Sequence, residues 1–530
     1  VSSRLSIRPR AWALAVALAT LTAAPASPAS AAPGGIRFLG CLSGKLAAKR
    51  APLHGGCALT RTAAGDAEGS GLDHLRALTA SPDGRSLYAV SSREDSVLGF
   101  RAAPLGLRQC FSGNRRPRGR RGRGCTLFPH AGTEDALTGF NAVRFIAVSP
   151  DGRNAYTVSG DDSIGVFARA RRSGGLTYEG CLTGHTGRAS SARSGACTPI
   201  PTATPAALGI HSGIGDPTSL AISPDGRFVY VAARGDAGVA TLVRRRNGSL
   251  AFRDCLTGGI SGFVAGLRSA CALLADASGN PTATILRGIS RIVLSPDGTS
   301  LYASSPRRAA IAEFQRDPLS GALSYRGCVT GEYGRPGTAG LACTPVPGAR
   351  EAAFGSGMWG IDRMAISPDG RWLYGAALHD GAIDAFSRDP ATGALSFAGC
   401  ITGNRGLGGE GGGGNPCAAP ARDGRRGAAL DRPTDLAIAP GGRALYVTAA
   451  RDSAITRLAR NPSTGALGFY SCLSANPDLA RPAGPCELTR PRRGRHQLGF
   501  SGLSSLAFAR GGLYATAGGQ SAISRFAAGG

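Results

Sequence analysis

The sequence predicts an all-β protein: a single seven-bladed β-propeller with four-stranded blades, its last blade closed by strands from both termini. Three observations carry this expectation. A Ser-Pro-Asp-Gly turn recurs at steps of 68 to 74 residues, one tyrosine follows each turn, and the expected mature chain opens on a lone fourth strand and stops after a third. Self-similarity at a fixed period is the mark of an array or a closed ring. Composition agrees. Gly (80) and Pro (33) make up about a fifth of 530 residues, which calls for many turns and short strands, and 42% hydrophobic content is enough for a packed core.

The N-terminus reads as an address. Arg4, Arg8 and Arg10 precede the apolar run 11–24, and small residues lead to Ala29-Ser30-Ala31. A basic head, a short apolar centre and an A-x-A site form a secretory signal peptide over 1–31, leaving a propeller over 32–530. The run is short of the roughly 20 apolar residues of a membrane span, so a secreted, extracytoplasmic protein with no span in its mature part is expected. A retained N-terminal anchor is the alternative. Removing 1–31 takes away three Arg and lowers the net charge from +26 to +23. Only Lys45 and Lys49 among the 60 basic residues are not Arg, so part of this charge is compositional bias.

The turn stands at Asp83, Asp151, Asp225, Asp297 and Asp369 and degrades to Pro440-Gly441-Gly442 and Arg510-Gly511-Gly512. Pro suits the second turn position and Gly the last. Tyr88, Tyr156, Tyr230, Tyr302, Tyr374, Tyr446 and Tyr514 follow in the returning strand. Each repeat then reads as four strands, the fourth clearest at 393–397 (GALSF). Residues 35–41 (GIRFLGC) are a fourth strand alone, and 506–508, 513–516 and 522–526 are three strands lacking a fourth. A solenoid would need capping repeats instead.

Fourteen cysteines follow the same register as Cys41/Cys57, Cys110/Cys125, Cys181/Cys197, Cys255/Cys271, Cys328/Cys343, Cys400/Cys417 and Cys472/Cys486. An even count, near-constant spacing and an export signal favour seven disulfides, each closing a loop after a fourth strand. Cys-x-x-Cys is absent, and no histidine pair has close ligand spacing, so neither a metal nor another cofactor is expected.

With the repeats in place, Ser367 to Tyr374, Asp380 to Phe386 and Arg388 to Leu395 resemble the motifs of lactonase-type seven-bladed propellers, the 6-phosphogluconolactonase-like and YVTN-repeat proteins. Degraded copies cover nearly all of the mature chain. The resemblance implies the propeller and a lactone-hydrolysing enzyme with substrate near the ring axis. The cysteine-closed insertion in every repeat and the export signal depart from that family, and a cytoplasmic sugar-phosphate lactone does not fit them. Fold analogy is a weak warrant for activity.

Two regions stand out for function. Rows just before each first strand should line the axis mouth. They hold Arg76, Arg144, Arg291, Asp362, Arg363 and Asp435, with Thr218, Ser290, Thr434 and Ser504 between them. Arginines there suit a carboxylate or a lactone carbonyl, and a carboxylate suits general-base work, which makes Asp362, Arg363 and Arg291 the catalytic candidates and the others ligand-binding ones. A solvated rim of ion pairs is the competing reading. No Ser-His-Asp set stands out, and the seven histidines are expected in loops. Asp95, Asp162, Asp236, Asp380 and Asp452 recur as turn residues. The second region is a basic crescent. Arg115, Arg116, Arg118, Arg120, Arg121 and Arg123 crowd one loop and Arg490, Arg492, Arg493 and Arg495 another, and four neighbouring loops together carry +10. This suits an extracellular polyanion or cell-envelope polymer, and the scarcity of aromatics speaks against sequence-specific nucleic-acid reading. The function expected is thus a ligand- or polyanion-binding scaffold, with lactone hydrolysis as the alternative.

Overall fold

The computed structural model describes residues 35–528 apart from 46–56, 65–69, 115–124, 133–137, 187–196, 206–211, 259–270, 275–284, 333–342, 351–354, 404–416, 419–428, 477–478, 480–484 and 490–498. Seven sheets make seven blades, and their first strands are Leu75–Ala80, Val143–Val148, Pro217–Ile222, Arg291–Leu294, Ile361–Ile366, Pro433–Ile438 and Leu503–Ala509. Blade five is representative: Ile361–Ile366, Trp372–Ala377, Ala382–Arg388 and Leu395–Thr402 pair antiparallel in sequence order. Blade seven joins Leu503–Ala509, Gly512–Ala517 and Ala522–Ala527 to the N-terminal strand Arg37–Lys45, in register Cys41↔Ser524. The expected closure by both termini is what the pairing shows.

The seven bridges join the cysteines as the spacing predicts: Cys41–Cys57, Cys110–Cys125, Cys181–Cys197, Cys255–Cys271, Cys328–Cys343, Cys400–Cys417 and Cys472–Cys486. No described cysteine is free. What the structure corrects is the surroundings of the second cysteine, which sequence reading left in a loop beyond a four-stranded blade. Every blade has a fifth strand. Cys57, Cys343, Cys417 and Cys486 open it, while Cys125, Cys197 and Cys271 stand one residue before it. It runs parallel to the fourth strand, as in Cys41↔Cys57, Cys328↔Cys343 and Cys400↔Cys417.

The physical reason is the disulfide itself. It holds two Cα atoms 4.4–4.6 Å apart in all seven bridges, close enough for the returning chain to pair with the fourth strand. The fifth strand is the outer edge of its blade; there Cys125, Cys197 and Cys343 are partly buried, while Cys57, Cys271, Cys417 and Cys486 are buried like all seven of their first-cysteine counterparts. Seven bridges fit an oxidising, extracytoplasmic setting. The segment expected to be a signal peptide, 1–31, lies outside the described residues, and among those described no helix is long and apolar enough to cross a membrane.

The second strand of each blade is buried on both faces, as in Phe228–Ala233 and Trp372–Ala377, because neighbouring blades cover both sides. This explains why small and apolar residues run together there without alternation.

The repeated Tyr and Asp do more than core and turn work. At the end of the third strand of the following blade stands an arginine: Arg169, Arg244, Arg316, Arg388 or Arg460. Its Nε donates to the tyrosine Oη of the preceding blade at 2.6–2.9 Å. Its terminal nitrogens lie 2.8–3.6 Å from that blade's turn aspartate. The tyrosine hydroxyl donates in turn to a glycine carbonyl of the next blade. Five blade junctions are latched in this way, so part of the arginine surplus is structural.

Candidate functional site

The first strands face the axis, and each starts after a residue in the left-handed region: His74, Ala142, Asp216, Gly288, Gly360, Arg432 and Gly502. Two residues further on, a polar side chain generally bonds to the next blade. Thr218 donates to the Ile289 carbonyl (3.5 Å), Thr434 to Leu503 (2.7 Å), Ser504 to Leu75 (2.8 Å) and Arg144 to Pro217 (3.1 Å). This belt of bonds closes the top of the ring. Blades one, four and five depart from it: Arg76 donates to Ser92 of its own blade, and Ser290 donates to the Asp362 carboxylate.

This last departure borders a cavity of about 620 Å³ at the junction of blades three, four and five. Arg234, Arg287, Ser290, Arg307, Asp362 and His379 supply its polar lining. The volume falls within the usual range for small-molecule sites. Gly360, at φ +80°, lets His379 pack close; a Cβ there would meet the imidazole Cδ2 at 2.6 Å. Trp359 lies against the same imidazole, ring centroids 4.7 Å apart.

The charge pattern around the mouth is specific. In blades one, three and six the arginine after the second strand faces an aspartate of the same blade: Arg93–Asp73 (3.4 Å), Arg234–Asp216 (2.7 Å) and Arg451–Asp431 (3.5 Å). Blade four carries Arg307 at this place, but Arg287 stands where blades one and six have Asp73 and Asp431. Among the described residues no acid pairs with Arg287 or Arg307. Among the described residues Asp362 is the one carboxylate lining the cavity. Burial pushes its carboxyl up, but Arg363, the Ser290 hydroxyl and Arg291 outweigh this and hold it below the usual carboxylate range.

The structure brings the candidates from the axis rows together and separates their roles. Asp362 lines the cavity, whereas Arg76, Arg144, Arg291, Arg363 and Asp435 belong to the shaft. Arg363 donates from Nε to the Thr434 carbonyl (3.1 Å) and lies 3.4 Å from Asp362. Arg76 donates to Ser92 at 3.1 Å, and Arg144 pairs with Asp216. The Asp435 carboxylate accepts from Ser505 (2.7 Å) and the Leu506 N–H (2.8 Å), so it ties blade six to blade seven. Arg115, Arg118, Arg120, Arg121, Arg492 and Arg493 of the crescent lie outside the described residues.

One further reading needs correction and another extension. His130 and His185 lie in strands, Thr126–Gly132 and Leu176–His185, because the cysteine loops extend the pairing beyond the fourth strand. The recurrent aspartates keep their turn positions, Asp95 and Asp162 in the left-handed region, but their carboxylates also reach beyond the turn. Asp236 accepts from Gly213 and Gly215, Asp380 from Gly355, Gly357 and Trp359, and Asp452 from Asp431, each bracing the segment that enters its first strand. Asp95 and Asp162 instead accept from Ala142 and Asp216 of the next blade. Sequence reading missed Arg234, Arg287 and Arg307 as cavity residues. Aligning the residue before each left-handed position exposes the signal: Asp73, Asn141, Gly215, Arg287, Trp359, Asp431 and Ser501.

One group of metal-type ligand atoms occurs among the described residues, Asp384 with Cys400 and Cys417, and both sulfurs are bonded to each other. No family model matches the chain, and neither does any curated protein. Solved structures similar to it include a putative 6-phosphogluconolactonase from Bacteroides uniformis, at 16% identity and TM-score 0.44 over 74% of this chain and 83% of that one. The periplasmic gluconolactonase of Pseudomonas aeruginosa is similar at 17% identity and TM-score 0.43, over 74% and 83%. Hydrazine synthase of Kuenenia stuttgartiensis is similar at 14% and 0.44, over 86% and 96%. Similarities at this level carry no activity with them; the seven-bladed ring stands on its own strand pairing.

Proposed function

We propose that the protein is an exported binding propeller that holds a small anionic ligand in the cavity between blades three, four and five. One observation carries the reading: the arginine–aspartate pairing that neutralises the mouth in blades one, three and six is broken at blade four, where Arg287 and Arg307 face the cavity together. Two guanidinium groups at one cavity favour a carboxylate, which accepts paired N–H donors from each. Trp359 beside His379 supplies a reporter, because only one other tryptophan, Trp372, remains after residue 31. Titrating D-gluconate should change the tryptophan emission saturably. Arg307→Ala and Arg287→Ala should each weaken the response about tenfold, the loss of one charged hydrogen-bonded contact. An unchanged titration in both variants would remove the reading.

Lactone hydrolysis is the second reading, favoured by the ionised Asp362 beside those arginines. In this chemistry Asp362 takes a proton from water as the oxygen attacks the lactone carbonyl, and the arginines stabilise the developing oxyanion. The ring C–O bond then breaks, and the leaving alkoxide takes the proton back to give the hydroxy acid. Arg363 positions Asp362, so Arg363→Ala should lower turnover of sugar lactones and shift its acid limb to higher pH while the ring stays folded. Purified protein without turnover on sugar and muconate-type lactones would leave binding alone.

A further inference from the structure

We propose that the shaft of the ring is a second, separate binding site, one that takes a compact monovalent anion (halide, nitrate or the carboxylate of a small acid) against Arg291. The inference does not depend on what occupies the cavity. Arg291 starts the first strand of blade four and is 7% exposed. Its guanidinium carbon lies 4.2 Å from the ring centroid of Phe145, in the first strand of blade two. Blades two and four are not neighbours, so this contact crosses the shaft, and the arginine projects into it rather than along its own sheet. The Nη1 group is buried and finds no hydrogen-bond partner among the described residues. A guanidinium N–H in that position costs stability unless an acceptor reaches it.

The neighbouring groups are already engaged elsewhere. Arg363 already has the Thr434 carbonyl and Asp362, and Asp435 takes its hydrogens from Ser505 and the Leu506 amide. Asp216 is shared between Arg144 and Arg234. Asp435 and Asp362 lie close enough to act on Arg291 electrostatically, but among the described residues no carboxylate forms an ion pair or hydrogen bond with it, and Arg76 has only the Ser92 hydroxyl. Burial and the adjacent Arg363 push the Arg291 guanidinium down to about 9 against the opposing pull of Asp435 and Asp362, and an anion alongside would add to that pull. A monovalent ion supplies the missing acceptor, whereas a polyvalent one would carry a larger desolvation penalty into so buried a position. Phe145 covers one guanidinium face and leaves the edge N–H groups to bind, so the ion sits in the guanidinium plane.

The test is the line width of chloride-35 resonance titrated into the folded protein at fixed ionic strength. Saturable broadening with half-saturation on the order of 10 mM is expected, with competition by nitrate. Arg291→Met should abolish the saturable part; Arg291→Lys, which keeps the charge but loses the planar fork, should retain it at about tenfold weaker affinity. Arg307→Ala separates the two sites: it should weaken gluconate binding in the cavity and leave the chloride titration as in the parent protein. Displacement of chloride by gluconate in the parent protein would identify the carboxylate as the natural source of the anion, and its failure would identify a free inorganic ion. Broadening that is linear in protein, or equal in folded Arg291→Lys and parent protein, would overturn the proposal.

Discussion

Replacing Arg316 by Met tests whether the blade junctions depend on the arginine latch. Arg316 sits at a junction of blades three and four, 1% exposed at its side chain. It donates to Tyr230 Oη at 2.7 Å, to the Gly298 carbonyl at 2.8 Å and to Asp225 at 3.0 Å. The tyrosine it holds is buried, which keeps the phenol neutral up to about 12. Breaking a buried ion pair costs about 3–5 kcal/mol. Asp225 is one-third exposed and water can replace part of its bond, so about 3 kcal/mol is expected. At about 2.1 cal/mol/K per residue, unfolding the roughly 500 residues after position 31 changes entropy by about 1 kcal/mol/K, so Tm should fall by about 3 °C. Calorimetry on Arg316→Met, Tyr230→Phe and the double variant should show a coupling of at least about 1 kcal/mol, whereas the exposed Arg246→Met stays within about 0.5 kcal/mol of the parent. If Arg316→Met matches Arg246→Met, or if the cycle is additive, the latch is ornament and the reasoning fails.

The same latches set an acid limit. Asp83, Asp151, Asp225, Asp297 and Asp369 all titrate below their ordinary value, Asp151 and Asp297 at about 2; burial opposes this but is outweighed by the adjoining serine, the latch arginine and a backbone N–H. Their contribution is complete above the unfolded value of about 4 and is lost as pH falls through about 2. Burial instead raises Asp452 to about 6 and Asp162 and Glu313 to about 7, so their contribution declines as pH rises from about 4 through those values. Denaturant midpoints should therefore peak near pH 4 to 5, and a flat profile from pH 2 to 7 would contradict this. Thiol labelling of unfolded, unreduced protein should find no free cysteine, and Cys255→Ser with Cys271→Ser should cost about 3 kcal/mol for a 16-residue loop. Heparin retention should fall steeply with salt, about 10³-fold in affinity between 50 and 200 mM, and the slope should flatten when Arg118, Arg120 and Arg121 become Ala. Retention indifferent to both changes would reduce the crescent to composition.

The ring was legible because its signals repeat: turn, tyrosine and cysteine recur seven times in one register, and termini that complement each other specify closure. The fifth strand was not, because the segment after each second cysteine has no pattern of its own and pairs only through the disulfide. The latch arginines were visible in Arg388-Asp389-Pro390 and its degraded copies, yet a charge at a strand end reads as surface until the neighbouring blade is seen to cover it. The site was half legible. Asp362, Arg363 and Arg291 stood out as departures from the repeat, but Arg287 and Arg307 come from two loops that only the folded blade brings to one cavity. Arg287 is a charge reversal at a place where two other blades carry aspartate, a signal that needs the structural register to align.

A crystal of the protein soaked with D-gluconate puts the central claim to its most direct test. The account predicts density for one acid in the cavity between blades three, four and five, its carboxylate within about 3 Å of Arg287 or Arg307 and the remainder toward His379. Density in the apolar hollow beside Pro82, Pro440 and Phe508 instead, or none at a concentration that changes the Trp359 emission, would contradict it.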